Sequence, residues 1–182
     1  MLLSREERLG RVAIVCCHFL RNLAFYRAGW RFDAHHGERS HRTADQFWVN
    51  ANSNSLDTCV LEWCKLFGDK KGNHRWGRVV SDPQFLSKLL QRLKLTEDQF
   101  NAYAKQMRDY RDWFIAHLDD ERIMYPPHLR VARRSIAFLY DYLRQVEDTT
   151  NTLRDARQSA SQFYSFWFRQ GRQAYFEHDQ HG

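Results

Sequence analysis

The chain has 182 residues, of which 43% are hydrophobic and 27% charged, with 3 Pro and 8 Gly. That balance excludes a disordered chain and a loop-rich disulfide scaffold, and the length suits a single folded unit over residues 1–182. The net charge is +6, and because lysine stands only at 65, 70, 71, 88, 94 and 105, 22 of the 28 basic residues are arginine, the side chain that grips phosphate bidentately. An anionic partner fits, although an arginine-rich composition alone gives the same count.

The longest early apolar run, Val12 to Leu20, spans nine residues, whereas a membrane-crossing helix needs about 20. The opening MLLSREERLGR turns charged at Arg5, unlike a secretory leader. The expectation is a cytoplasmic protein with no membrane partner. The four cysteines, Cys16, Cys17, Cys59 and Cys64, lie in apolar helix-like stretches without the close pairing of a zinc site, so buried free thiols are expected, with no metal and no cofactor.

Apolar positions follow helical spacing nearly throughout, which predicts an all-α fold. The first helix covers about Arg5 to Ala28, with Leu9, Val12, Cys16, Phe19, Leu23 and Tyr26 as its buried stripe, and Gly29 and the polar stretch to Arg42 end it. A second helix is predicted from Thr43 or Ala44 to Phe67, burying Leu56, Val60, Trp63 and Phe67, with Gly68 closing it. Its segment Asn50 to Ser55 (NANSNS) either breaks the helix or points amides and hydroxyls at hydrogen-bonding partners; a break is the expectation.

Asp82 and Pro83 read as the start of a short helix to Leu93, and Thr96 with Gln99 as a capping box opening a long helix to about Glu121. Met124-Tyr-Pro-Pro127 stops that helix. Two more helices are predicted, His128 to Glu147, with Leu129, Ala132, Ile136, Leu139, Leu143 and Val146 inward, and Thr152 to Phe176. Phe163 to Phe168 puts aromatics on every side of the last helix, which implies burial on two faces, inside the fold or against another chain. A partner-protein docking surface there is one functional reading.

The long helix carries the informative stretch. Its stripe is Phe100, Tyr103, Met107, Tyr110, Phe114 and Leu118; centred on Phe114, Arg111 and His117 fall about 60° to either side, about 9 Å apart along the axis. A long arginine can lean across that gap, so both groups can reach one phosphate. Histidine moves protons near neutral pH and arginine neutralises phosphate oxygens, which suits cleavage of RNA by its own 2′-hydroxyl. The structural alternative pairs Arg111 with Asp109 or Asp112 and leaves His117 hydrogen-bonded near the helix end.

An arginine, a polar residue and then apolar residues leading to histidine late in a helix resembles the HEPN superfamily, whose signature is Arg, four to six residues, His; Arg111 and His117 enclose five. YRDWFIAHLD (110–119), LEWCKLFG (61–68) and the following His74-Arg75-Trp76 resemble its abortive-infection, AbiU-type branch, most clearly over residues 43–143. The resemblance implies an antiparallel bundle of four core helices with additional short ones, forming a homodimer with two Arg/His sets facing across one cleft. It also implies a metal-independent endoribonuclease of phage defence or of a toxin–antitoxin pair, leaving 2′,3′-cyclic phosphate ends.

On that basis Arg111 is the phosphate clamp and His117 the proton-transfer group. Asp112 stands where many HEPN nucleases carry asparagine and brings negative charge to the site. Tyr110 and Asp119 either orient the histidine and line the cleft, or are a packing residue and a solvated helix-end charge. The loop with Lys70, Lys71, His74, Arg75, Trp76 and Arg78 combines positive charge with an aromatic ring, as single-stranded RNA binders do, or is a solvated surface loop. The cluster Arg31, His35, His36, Arg39, His41 and Arg42 invites a metal or nucleic-acid reading of the same kind. The alternative to an enzyme is a non-catalytic HEPN module that binds nucleotide, RNA or a protein partner such as an antitoxin.

Overall fold

In the computed structural model, residues 3–33, 38–42, 44–115, 125–156 and 158–181 are described, with 31–33, 38–39 and 176–181 described in backbone only. Among them the chain forms α1 (Arg5–Ala28), a hairpin of β1 (Trp30–Asp33) and β2 (Glu38–His41), α2 (Gln46–Trp63), α3 (Phe85–Leu93), α4 (Glu97–Tyr110), α5 (Arg130–Tyr142) and α6 (Ala160–His181). Three π-helical turns prolong helices: Cys64–Gly68 after α2, Arg111–Ile115 after α4 and Leu143–Glu147 after α5. The fold is an all-α bundle, 73% helical. No described helix is long and apolar enough to cross a membrane.

Capping residues set the helix starts. Ser4 and Glu7 cap each other at α1, with Glu7 N–H donating to Ser4 Oγ at 3.1 Å and Ser4 N–H to Glu7 Oε2 at 2.8 Å. Thr96 and Gln99 do the same at α4. The stripe Leu9, Val12, Cys16, Phe19 and Leu23 is fully buried, and α1 packs against α2, α5 and α6. Trp63 sits in the same core, stacked on Phe67 at 5.5 Å and edge-on to Tyr103 at 5.3 Å. All four cysteines are free thiols; Cys16, Cys59 and Cys64 are buried and Cys17 is half-buried.

Several expectations are corrected. The polar stretch after Gly29 contains the hairpin, β1 pairing antiparallel with β2 so that Trp30 faces His41. It is tied to the end of α1 by Arg42, whose backbone N–H donates to the Gly29 carbonyl and whose Nε donates to the Ala28 carbonyl, both at 2.8 Å. The break predicted at Asn50–Ser55 does not occur. Ser53, Ser55 and Thr58 return their hydroxyls to the carbonyls of Val49, Ala51 and Asn54, and buried Asn52 turns inward. Its Nδ2 donates to the Tyr26 carbonyl at 2.8 Å and its Oδ1 accepts from Trp30 Nε1 at 3.0 Å. Tertiary partners thus satisfy the amide that local propensity would have used to end the helix.

Helix α3 begins at Phe85 because Pro83 and Gln84 form a turn, in which Asp82 Oδ1 accepts the Gln84 N–H at 2.7 Å. The long helix is α-helical to Tyr110 and continues as the π turn to Ile115, and residues 116–124, over which it was expected to run on to Glu121, lie outside those described. Val146, expected inward, is 51% exposed. The π turn of Leu143–Glu147 bonds i to i+5 and rotates the stripe, so that Glu147 is buried instead. Helix α6 starts at Ala160 and not near Thr152, because Asp148 accepts the N–H groups of Thr152 and Leu153 and holds a turn there, while Ser159 and Gln162 form a reciprocal cap. Phe163, Tyr164, Trp167 and Phe168 pack on the core, leaving Phe166 as the 40% exposed member of that run.

Candidate active site at the end of the fourth helix

Helix α4 delivers Arg111 to the surface by anchoring the residue before it. Tyr110 is buried; its hydroxyl donates to Asp57 Oδ1 on α2 at 3.1 Å, and its ring stacks on Phe114 at 5.0 Å. Burial pushes the Asp57 carboxyl up, partly offset by that hydroxyl. Tyr110 therefore serves as a packing and anchoring residue for the turn that follows.

Arg111, 22% exposed, is held by two carboxylates. Nε donates to Asp112 Oδ1 at 2.7 Å and Nη2 to Asp112 Oδ2 at 3.4 Å, while Nη1 donates to Asp69 Oδ1 at 2.7 Å. Hydrogen bonding to Asp112, and then to Asp69, raises the guanidinium above its ordinary value against the opposing effect of burial, so its charge is fixed. Of five guanidinium N–H groups these bonds use three, which leaves one on each Nη. The Asp112 pairing is one of the two structural alternatives read from the sequence; the other, Asp109, pairs with Lys105 at 2.5 Å.

Asp69 arrives from the π turn that ends α2. Its backbone N–H donates to the Cys64 carbonyl at 2.9 Å, and the neighbouring Gly68 carbonyl accepts from Arg108 Nη1 at 3.3 Å, lacing the ends of α2 and α4 together. A Cβ on Gly68 would stand 3.3 Å from Cys64 Sγ and 3.5 Å from Arg108 Cγ, so the lacing wants glycine there. Burial pushes the Cys64 thiol up to about 12, so it is no nucleophile at neutral pH.

His117 and Asp119 lie outside the described residues. Of the basic loop, Lys70, Lys71 and Arg78 are exposed, while His74, Arg75 and Trp76 are half-buried. The Trp76 ring packs on Phe85 at 4.7 Å, with the Arg75 guanidinium 5.8 Å from its centre and Arg75 Nη1 bonded to the Lys70 carbonyl at 3.2 Å. The ring is thus engaged in packing, and the exposed charge of the loop starts one residue beyond Asp69. Trp113 and Phe114, each partly exposed, follow Arg111 on the same turn.

Of the second basic cluster, His41 and Arg42 are the members with described side chains. The His41 ring lies 5.6 Å from Trp30 and 5.7 Å from Tyr175, Arg42 caps α1, and His35 and His36 lie outside those residues; the side chains of Arg31 and Arg39 are not among those described. No group of three or more described His, Cys, Asp or Glu side chains is placed to hold a metal. A cavity of about 330 Å³ between α1, α2 and α6, walled by Phe25, Trp48 and Tyr175, and one of about 320 Å³ beside Phe166 both lie away from Arg111.

Sequence reasoning missed Asp69. It lies 42 residues from Arg111, and its one local signal is its place just after the helix-ending Gly68. No family model, curated protein or solved structure gives a significant match to the chain.

Proposed function

We propose that this protein is a HEPN-type, metal-independent endoribonuclease acting in the cytoplasm as a homodimer, in phage defence or as the toxin of a toxin–antitoxin pair. The observation that carries the reading is the state of Arg111. It is a fixed cation at the surface, oriented by Asp112 along its Nε/Nη2 edge, keeping an N–H on each Nη and standing six residues before His117. An oxyanion takes a guanidinium best in that two-point fashion.

The chemistry follows from the substrate. The 2′-oxygen of RNA attacks the adjacent phosphorus; the 2′-O–P bond forms as the P–O5′ bond breaks, giving a 2′,3′-cyclic phosphate and a free 5′-hydroxyl. One group must accept the 2′-hydroxyl proton and another must protonate O5′, roles that two copies of His117 across a dimer cleft would fill. Arg111 neutralises the non-bridging oxygens as charge develops. The exposed Lys70, Lys71 and Arg78 extend the positive surface for the strand.

The test is purified wild-type and His117→Ala protein incubated with total RNA in excess EDTA, followed by analysis of fragment ends. Cleavage by the wild type alone, with cyclic-phosphate ends, is the expected result; equal cleavage by both would point to a contaminating nuclease and sink the reading. A second reading, a non-catalytic HEPN module for nucleotide, RNA or a protein partner, is favoured by one specific observation: two carboxylates already occupy Arg111. Absence of cleavage by either protein, with RNA affinity lost in Arg111→Ala, would establish that alternative.

A further inference from the structure

We infer that Asp69 is an internal stand-in for the substrate phosphate, occupying one nitrogen of the Arg111 Nη1/Nη2 edge until a nucleic-acid phosphodiester takes its place. The inference rests on the reading of Arg111 as a phosphate clamp and adds to it the residue that controls entry.

The two carboxylates on Arg111 are not equivalent. Asp112 is the next residue in the chain, reaches both Nε and Nη2, and so sets the plane of the guanidinium. Asp69 comes from the far end of α2 and bonds Nη1 alone. Its side chain is 37% exposed, and this is the one hydrogen bond its carboxylate makes among the described residues. A single hydrogen-bonded pair of this kind, half-buried and open to solvent on the Asp69 side, is readily exchanged for another anion.

Charge favours the exchange. One guanidinium already faces two carboxylates, and a phosphodiester added to them would crowd three anions around one cation. Replacing Asp69 by the phosphate keeps the count at two and restores the same hydrogen bond with a substrate oxygen. The released carboxylate belongs to the residue that precedes exposed Lys70 and Lys71, whose ammonium groups offer it local compensation. Asp69 is thus a positioning residue: it holds Arg111 extended and ready, and it sets how strongly a phosphate must bind to enter.

The experiment measures binding of a fluorescent 2′-O-methyl oligoribonucleotide, which cannot be cleaved, by anisotropy at fixed low salt. The proteins are wild type, Asp69→Asn, Asp69→Ser, Arg111→Ala and the double variant Arg111→Ala/Asp69→Asn, each checked for an unchanged unfolding transition. Both single Asp69 variants should bind about fivefold more tightly than wild type, with no gain from Asp69→Asn in the Arg111→Ala background. In cleavage assays Asp69→Asn should lower KM by about the same factor, a larger change than any in kcat. No gain in affinity, or an equal gain without Arg111, would overturn the inference, the latter showing only a general loss of negative charge. If no protein cleaves RNA yet the gain still depends on Arg111, the nuclease reading falls and Asp69 keeps this role. If His117→Ala alone abolishes cleavage and the Asp69 variants bind as wild type does, the reverse holds.

Discussion

The hydroxyl of Tyr110 donates to Asp57 Oδ1 at 3.1 Å and ties the last α-helical residue of α4 to the middle of α2, one residue before Arg111. Tyr110→Phe removes that bond and keeps the ring stacked on Phe114. It should cost about 1 kcal/mol in denaturant unfolding and, on the proposed nuclease reading, change RNA cleavage less than about twofold, since a net loss of this size leaves the native state dominant. Tyr110→Ala, which also empties the ring's place in the core, should cost about 3 kcal/mol or more. A well-folded Tyr110→Phe protein without cleavage would place the hydroxyl in the chemistry.

Asn52 joins three elements through one buried amide: the carbonyl of Tyr26 on α1, the indole of Trp30 in the hairpin and the hydroxyl of Tyr175 on α6. Asn52→Leu matches its size but strands those partners, and each buried polar group left unsatisfied costs about 1–3 kcal/mol. The expected loss is about 2–4 kcal/mol in urea unfolding. A variant as stable as wild type would show that solvent reaches these groups.

Asn52 also marks where the sequence was legible and where it was not. Helix α1 was readable at both ends because its signals are local: an apolar stripe at steps of three and four, and Gly29 at the end, while the reciprocal Ser4/Glu7 cap that starts it is seen in the structure. The NANSNS segment misled because its amide is satisfied by residues 26 and 123 positions away in the chain. Arg111 was visible from its place beside the stripe. Its partner Asp69 was not, because nothing local marks a pairing made by two helix ends laced through Gly68 and Arg108. The π turns after Trp63, Tyr110 and Tyr142 were equally hidden, and each shifts the face read from a fixed period of 3.6.

The contact between Asp82 and Tyr142 predicts stability loss at both pH extremes. Asp82 Oδ2 accepts from the Tyr142 hydroxyl at 2.6 Å and from Lys88 Nζ at 2.7 Å. Lys88 first, then Tyr142, lowers the Asp82 carboxyl from 3.8 to about 2, and the same carboxylate raises the Tyr142 hydroxyl from 10.0 to about 12. The carboxylate's contribution is present above 3.8 and is lost as pH falls toward about 2. The phenol's contribution is present below 10.0 and is lost as pH rises toward about 12. Tyr142→Phe should flatten the alkaline limb of a Tm-against-pH curve and leave most of the acid limb, because Lys88 remains; Asp82→Asn should flatten both.

Thiol labelling reports whether the end of α2 stays closed beside Arg111. Burial raises all four thiols, Cys64 to about 12, so at pH 8 they stay protonated. Cys16, Cys59 and Cys64 are also out of reach of reagent, whereas Cys17 is half-buried. Iodoacetamide at pH 8 should therefore modify Cys17 alone, and slowly, in the folded protein, and all four residues in urea, as counted by mass spectrometry. Cys64 belongs to the π turn whose last residue, Gly68, is bonded to Arg108, so opening of that turn exposes Cys64 and frees Asp69 together. Saturating oligoribonucleotide that displaces Asp69 without unwinding the turn should leave Cys64 protected. Labelling of Cys64 that rises with RNA would show instead that the whole turn opens when the oligoribonucleotide binds.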